Sequence, residues 1–173
     1  MKPSVKEIAL FGIFGALMFG SKKLMEVFPN IHLIGVLIVA LTVVYRAKAL
    51  YPIYLYVLLD GLFLGFSLFW VPYLYVWTIL WGIVMLLPKK LPRKIKPIVY
   101  MTVCALHGFL FGVLYAPFQA LVFGLSLKGT IAWIIAGIPF DITHGISNFL
   151  GGALICPIIA VLNATNKKEN RRV

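Results

Sequence analysis

The feature that most limits the possible fold is a series of long apolar runs, interrupted only by short polar or basic segments. With 62% hydrophobic and 12% charged residues in 173 positions, the chain is too apolar to be a soluble globular domain. The runs are continuous rather than alternating, which indicates membrane-spanning helices and argues against a β-barrel. The sequence therefore predicts an all-α integral membrane protein, with one membrane domain over residues 1–173.

Six segments have a composition suited to crossing a bilayer as helices. The strongest break between them is the segment 88–96, in which five cations and two prolines exclude a continuous helix. We expect a polar connection over 22–32, and a turn over 124–130 followed by a short helix over 131–137. The predicted spans are residues 5–21, 33–45, 49–67, 68–87, 97–123 and 138–163.

The basic residues predict the orientation of these spans. Of the 16 Lys and Arg residues, thirteen fall on the side that holds both chain ends, and Lys22, Lys23 and Lys128 fall on the other side. The positive-inside rule then places both termini in the cytoplasm. The net charge of +11 is explained by membrane topology, so it does not indicate a nucleic-acid partner.

The last span carries a carboxylate, an imidazole and an amide, at Asp141, His144 and Asn148. An ionisable side chain at the centre of a membrane helix costs roughly 2.5 to 3.5 kcal/mol and normally faces protein or a water-filled cavity. On a helix the three residues fall within about 60° of arc, so they share one face. They form either a ligand site or a buried polar seam between helices, and the first interpretation is favoured.

The predicted orientation brings most polar and aromatic groups of the spans towards the outer surface. A pocket with an apolar body, stacked rings and a few fixed polar groups is suited to a small organic ligand. His107 lies deeper and is predicted to be a core histidine. The candidate ligand-binding residues are Asp141, His144, Asn148, Trp70, Tyr73, Trp77, Gln119, Asn30 and Asp60.

Small residues recur along one face of the first span, at Ala9, Gly12, Ala16 and Gly20. They fall within about 80° of arc, a spacing that lets another helix approach closely, as in small-xxx-small motifs. The face is predicted either to dock a partner protein or to pack inside the bundle.

The chain resembles the substrate-binding membrane subunit, or S component, of energy-coupling factor (ECF) vitamin transporters. The resemblance rests on chain length, six predicted spans, cytoplasmic termini, the small-residue face, the sequence Phe28-Pro29-Asn30-Ile31 and the polar motif over 137–148. It implies an S-component-like bundle in the bacterial plasma membrane that binds a vitamin or vitamin precursor in a pocket open to the outside.

The same resemblance implies the partners. The first span, through Ala9, Gly12 and Ala16, would dock onto a transmembrane coupling protein that two ATPase subunits drive, with Gly12 in place of the first alanine of the family's Ala-xxx-Ala. The subunit would be no enzyme and would hold no cofactor or metal. The sequence has no phosphate-binding loop of the form Gly-x-x-x-x-Gly-Lys-Ser/Thr, which agrees with an external energy source.

Two other classes of function remain open. A stand-alone proton-coupled secondary carrier would use Asp60, Asp141 and His144 to relay protons, although only Pro139 suggests the broken helix common in such carriers. A membrane-embedded enzyme is less favoured, because no metal cluster or nucleophile–base pair has a recognisable spacing. The ligand also stays open among thiamine, folates, flavins, pyridoxine, cobalamin fragments and queuosine precursors.

Overall fold

A computed structural model describes residues 3–28 and 30–170, with residues 168–170 described by their backbone alone. Pro29 of the 28–31 motif, Lys2 and the basic tail residues Arg171 and Arg172 lie outside the described residues. The described chain contains helices and no strand, so the predicted all-α class is confirmed. Its α-helices are α1 (Val5–Leu24), α2 (Ile34–Tyr45), α3 (Leu50–Leu64), α4 (Tyr73–Leu86), α5 (Lys96–Phe109), α6 (Phe111–Phe123), α7 (Leu127–Gly151) and α8 (Ile155–Asn170).

Three continuous helical segments are long and apolar enough to cross a membrane: Ile34–Leu64, Lys96–Phe123 and Leu127–Lys167. The apolar helix α4 is shorter. Isoleucines on the outer face of α7, such as Ile135 and Ile142, are about half exposed, at 58% and 47%. A continuous apolar surface of this kind is costly in water, so the chain fits a protein embedded in lipid.

The helix ends differ from the predicted spans at the start and end of α7. Ser126 caps α7 by accepting a hydrogen bond from the Gly129 backbone N–H, so the predicted turn over 124–130 ends at Ser126. The separate short helix predicted over 131–137 is the first part of α7. Pro139 lies inside α7 without ending it, and the helix is interrupted later, by a 3₁₀ turn over Gly152–Leu154.

Two further differences concern α1 and the predicted fifth span. A capping box between Ser4 and Glu7 starts α1, and the helix continues to Leu24, so the beginning of the expected polar connection is helical. The expected span 97–123 is divided at Leu110 into α5 and α6.

The helices α1 and α3 lie side by side and run in the same direction. Where both helices begin, the ammonium of Lys48, just before α3, donates to the carboxylate of Glu7 in α1 at 2.7 Å. Near their last turns the ammonium of Lys22 donates to Asp60 Oδ1 at 2.6 Å. These two contacts define the two ends of the bundle, which we call the Lys48 end and the Lys22 end.

The helices α3 and α4 run in opposite directions. The indole of Trp70, just before α4, donates to the carbonyl of Val57 at 2.8 Å, and the guanidinium of Arg46 donates to the carbonyl of Met85 at 2.7 Å. Arg46 also ends α2, because its positive φ of 53° is incompatible with the helix. Its 3₁₀ turn, Arg46–Ala49, therefore separates α2 from α3 at the Lys48 end.

The α5–α6 pair runs antiparallel to α7. The amide of Asn148 donates to the carbonyl of Cys104 at 3.2 Å, and the backbone N–H of Gly112 donates to Asp141 Oδ1 at 3.0 Å. Beyond α7, the α8 helix continues in the same direction to the Lys48 end, where the hydroxyl of Tyr45 donates to Asn166 Oδ1 at 3.1 Å. The described residues of both chain ends thus approach the same end of the bundle.

Candidate functional site

A cavity of about 270 Å³ opens towards the Lys22 end of the bundle. The connection between α1 and α2 covers it, and α3, α4, α6 and α7 form its walls. Its volume is close to the lower limit of roughly 300 to 1,000 Å³ that is usual for small-molecule sites. The lining residues are Lys22, Met25, Glu26, Phe28, Asn30, Ile31, His32, Tyr56, Tyr73, Phe111 and His144.

Aromatic and imidazole rings from four different segments meet at the inner part of this cavity. The rings of His32 and His144 lie 4.8 Å apart at an angle of 74°, and Phe111 lies 4.9 Å from His144. Trp77, only 1% exposed, supports them from α4, with its ring 6.0 Å from His32 and 5.8 Å from Tyr73. The packed rings fix the orientation of the imidazoles, which preorganises the polar atoms for binding.

Three buried polar atoms of the lining have no hydrogen-bond partner among the described residues. They are His32 Nδ1, His144 Nε2 and the hydroxyl of Tyr56. Most buried polar side-chain atoms in proteins are hydrogen-bonded, and an unpaired one costs about 1 to 3 kcal/mol. All three residues line one cavity, so a molecule bound there is a candidate partner for these atoms.

His32 is uncharged at neutral pH. Burial of the ring lowers its pKa to about 4, and the nearby charge of Lys22 acts in the same direction. A neutral imidazole has one donor nitrogen and one acceptor nitrogen, and the tautomer can change to suit the ligand.

The ionised groups beside the cavity are compensated within the chain. Lys22 forms its ion pair with Asp60, and its ammonium lies 4.9 Å from the ring centre of Tyr73. Glu26 pairs with Lys23 at 3.1 Å. The cavity wall therefore presents polar atoms with little net charge.

Two imidazoles close together raise the question of a metal ion. A metal such as zinc takes three or four protein ligands. Across residues 3–28 and 30–167, no group of three or more His, Cys, Asp or Glu side chains has a metal-binding arrangement.

The structure places some of the sequence-predicted residues at the cavity and others elsewhere. Tyr73, His144 and Asn30 line it. Trp77 lies behind the lining, where its ring contacts that of His32. Asp60 does not line the cavity but forms an ion pair with the lining residue Lys22.

Of the polar residues predicted on one face of the last span, only His144 lies at the cavity. All three are buried, but Asp141 accepts from Gly112 and Asn148 donates to Cys104. Asp141 and Asn148 thus bridge α7 to α6 and α5, which is the polar-seam alternative.

Gln119 and Trp70 lie away from the cavity lining. Gln119 is buried in α6, with its Nε2 unpaired among the described residues, and Trp70 is engaged with Val57. His107, predicted to be a core histidine, is 2% exposed and has its Nε2 3.0 Å from the carbonyl of Val76.

Sequence reasoning missed several lining residues. The sequence places Lys22 and His32 only in the predicted polar connection over 22–32, and it assigns no site role to Tyr56 or Phe111. A Tyr one helical turn before a membrane-embedded Asp, as Tyr56 stands before Asp60, is the signal that could have found the α3 wall. Phe111 has no such signal, because an isolated Phe in an apolar run is typical of packing.

The small-residue face of α1 is not covered by the described chain. Ala9 and Ala16 are exposed, and a Cβ added to Gly12 or Gly20 would have no neighbour within 4 Å. Gly15, which is not part of this face, instead contacts α3 through Leu55.

Comparison of the chain with protein-family models, with curated proteins and with solved structures gave no match.

A larger groove of about 760 Å³ lies at the Lys48 end, bordered by residues of α2, the 3₁₀ turn and α3. Its cations are engaged, since Arg46 donates to Met85 and Lys48 pairs with Glu7. Among the described residues, none that lines this groove has a buried polar side-chain atom without a hydrogen-bond partner. The smaller cavity is therefore the stronger candidate for a specific ligand site.

Proposed function

We propose that this protein is the substrate-specificity subunit of an ECF-type importer. It binds a vitamin or vitamin precursor from outside the cell and delivers it by docking onto a transmembrane coupling protein, which two ATPase subunits drive. The observation that carries this proposal is the cavity of about 270 Å³, around which His32, His144 and Tyr56 hold unpaired polar atoms.

The directions of the helices support the orientation that this function needs. The chain crosses the length of the bundle six times when α5–α6 and α7–α8 are each counted as one crossing. The hydrogen bonds between neighbouring helices agree with these directions. We interpret the six crossings as six membrane spans. Arg46 and Lys48 lie at the Lys48 end, and the segment 88–96 follows the end of α4 there, so the positive-inside rule makes this end cytoplasmic. The cavity then faces the outside.

The uncovered face of α1 supports the docking step. Ala9, Gly12 and Ala16 present little side-chain bulk, and nothing in the described chain packs over Gly12. Small residues on a lipid-facing helix permit close contact with a partner helix. We therefore assign this face to the coupling protein.

A proton-coupled secondary carrier remains the second candidate, because the ion pair between Lys22 and Asp60 lies beside the cavity. Such a carrier would work without ATPase partners. The two candidates therefore differ in their dependence on those subunits.

Uptake assays test the proposal. Cells that express this chain should take up its ligand only when the coupling protein and both ATPases are present. Uptake that persists without them would support the secondary carrier.

Bulky substitutions in α1 test the docking face separately. Gly12→Leu or Ala16→Leu should abolish uptake while purified protein binds ligand normally. Leu17→Phe, which adds bulk at an exposed position about 100° around the same helix from the centre of the small-residue face, is the control and should keep uptake. Unimpaired uptake in both leucine variants would remove α1 as the docking surface.

A further inference from the structure

We propose that the ligand is an uncharged planar heterocycle that carries both hydrogen-bond donors and acceptors on its ring. This inference rests on the proposed function and narrows the substrate class of that same cavity. It excludes permanent cations and carboxylates as the bound species.

The shape of the cavity supports a flat ligand. Tyr73 and Phe111 provide ring surfaces in its wall, and the His144 ring lies 4.9 Å from Phe111 at an angle of 63°. Aromatic rings prefer offset-stacked or edge-to-face neighbours, which a planar heterocycle supplies. A volume of about 270 Å³ favours one small ring system over a long or branched molecule.

The unpaired atoms support hydrogen bonding of both kinds. A phenol hydroxyl can donate and accept, and a neutral imidazole nitrogen does one or the other according to its tautomer. The hydroxyl of Tyr56, Nδ1 of His32 and Nε2 of His144 come from three separate segments of the chain. They suit a ring that carries polar atoms at several positions.

The balance of charges supports an uncharged ligand. The ammonium of Lys22 is held by Asp60 at 2.6 Å, and Asp60 is itself only 2% exposed. Glu26 is paired with Lys23. The Lys23–Glu26 pair is exposed, at 32% and 58%, and contributes little. A ligand charge enclosed in the cavity would have to compete for the buried Lys22–Asp60 pair or stay without a counter-charge, and either is unfavourable.

The test measures binding of matched probes to the full chain in lipid nanodiscs by isothermal titration calorimetry. Uncharged nicotinamide and uracil are compared with the matched anions nicotinate and orotate, and with the cation 1-methylnicotinamide. At least one uncharged probe should bind, with its charged counterparts at least tenfold weaker.

The variant Tyr56→Phe separates ligand contact from folding. It removes a hydroxyl that has no partner among the described residues, so the thermal stability of the ligand-free protein should not fall. Affinity for the uncharged probe should fall about fivefold, the effect of losing one hydrogen bond. Tyr51→Phe is the matched control on the same helix, because Tyr51 lies at the Lys48 end and is 50% exposed; its affinity should stay unchanged.

The outcomes distinguish this inference from the proposed function. If a charged probe binds as tightly as its uncharged counterpart, or if Tyr56→Phe binds the uncharged probe normally, the inferred substrate class is wrong. The protein would still be shown to bind a small molecule. If no probe of any charge binds, the substrate class is contradicted, whereas the proposed function is contradicted by uptake that persists without the coupling protein and ATPases.

Discussion

The ion pair between Lys22 and Asp60 connects the last turns of α1 and α3 beside the cavity. Its side chains are 18% and 3% exposed, so it is largely removed from water. Removing one partner of such a pair leaves a charge without compensation, which costs more than the pair itself contributes.

We predict that Asp60→Asn lowers the free energy of unfolding by about 1 to 3 kcal/mol. Adding Lys22→Met to this variant should restore part of the loss, because the uncompensated ammonium is then absent. Denaturant unfolding in detergent micelles, arranged as a double-mutant cycle, measures the coupling. Strictly additive effects of the two substitutions would show that the ion pair contributes nothing.

The pKa of His32 gives the protein a pH-dependent stability. Its folded-state pKa of about 4 lies below the ordinary value of 6.5, so the unfolded chain binds a proton more readily. Stability from the neutral ring is therefore complete above pH 6.5 and decreases as the pH falls towards 4. The groups that influence His32 are Lys22, His107 and the His144 ring.

We predict that the free energy of unfolding decreases by up to about 3 kcal/mol between pH 6.5 and pH 4 through this residue. The His32→Gln variant should show a smaller decrease over the same range. Unfolding curves measured at half-unit pH intervals test this, and an unchanged slope in the variant would contradict it.

Residues of the candidate site differ in how far the sequence could predict them. Helical periodicity correctly groups Asp141, His144 and Asn148, since all three are buried. Periodicity does not indicate which neighbour each one meets, because that depends on the register between α7 and the α5–α6 pair. The cavity residues Tyr56 and Phe111 come from other helices, so their approach depends on the same kind of tertiary register.

At the level of secondary-structure elements, glycines allow close contact between α5 and α7. A Cβ on Gly108 would lie 2.9 Å from the backbone of Gly145, closer than carbon atoms can pack. Gly137, also in α7, has no neighbour within 4 Å of an added Cβ. The two positions form a matched pair for testing helix packing.

We predict that Gly108→Ala destabilises the protein by about 1 to 3 kcal/mol, because α5 and α7 must move apart. Gly137→Ala should be neutral or slightly stabilising, since alanine favours a helix over glycine. Thermal unfolding of both variants, followed by circular dichroism, measures the difference. Equal effects at the two positions would contradict close packing of the two helices.

The apolar runs of the sequence predict where helices occur but not where they are interrupted. The breaks at Leu110 and at Gly152–Leu154 lie within apolar sequence, so hydrophobicity does not mark them. The start of α7 does have a sequence signal, the capping residue Ser126, which the polar residues after it obscured. The loop over 88–96 was predictable because prolines and repeated charges exclude a helix.

For the whole molecule, the two ends of the bundle differ in chemistry. The Lys22 end contains the cavity with its unpaired polar atoms, and the Lys48 end gathers cations that are engaged with Glu7 and Met85. The α1 helix runs from one end to the other and leaves its small-residue face uncovered. Under the proposed function, the ligand occupies the cavity and the coupling protein docks on this face of α1.

The most direct test of the central claim is mass spectrometry of small molecules released from the purified protein. One organic compound should be released from the wild-type protein in near-stoichiometric amount. It should be absent from His144→Phe, which removes an unpaired nitrogen at the cavity, and present in the Tyr51→Phe control. Equal recovery from wild type and His144→Phe would show that the compound is held elsewhere and would contradict this account.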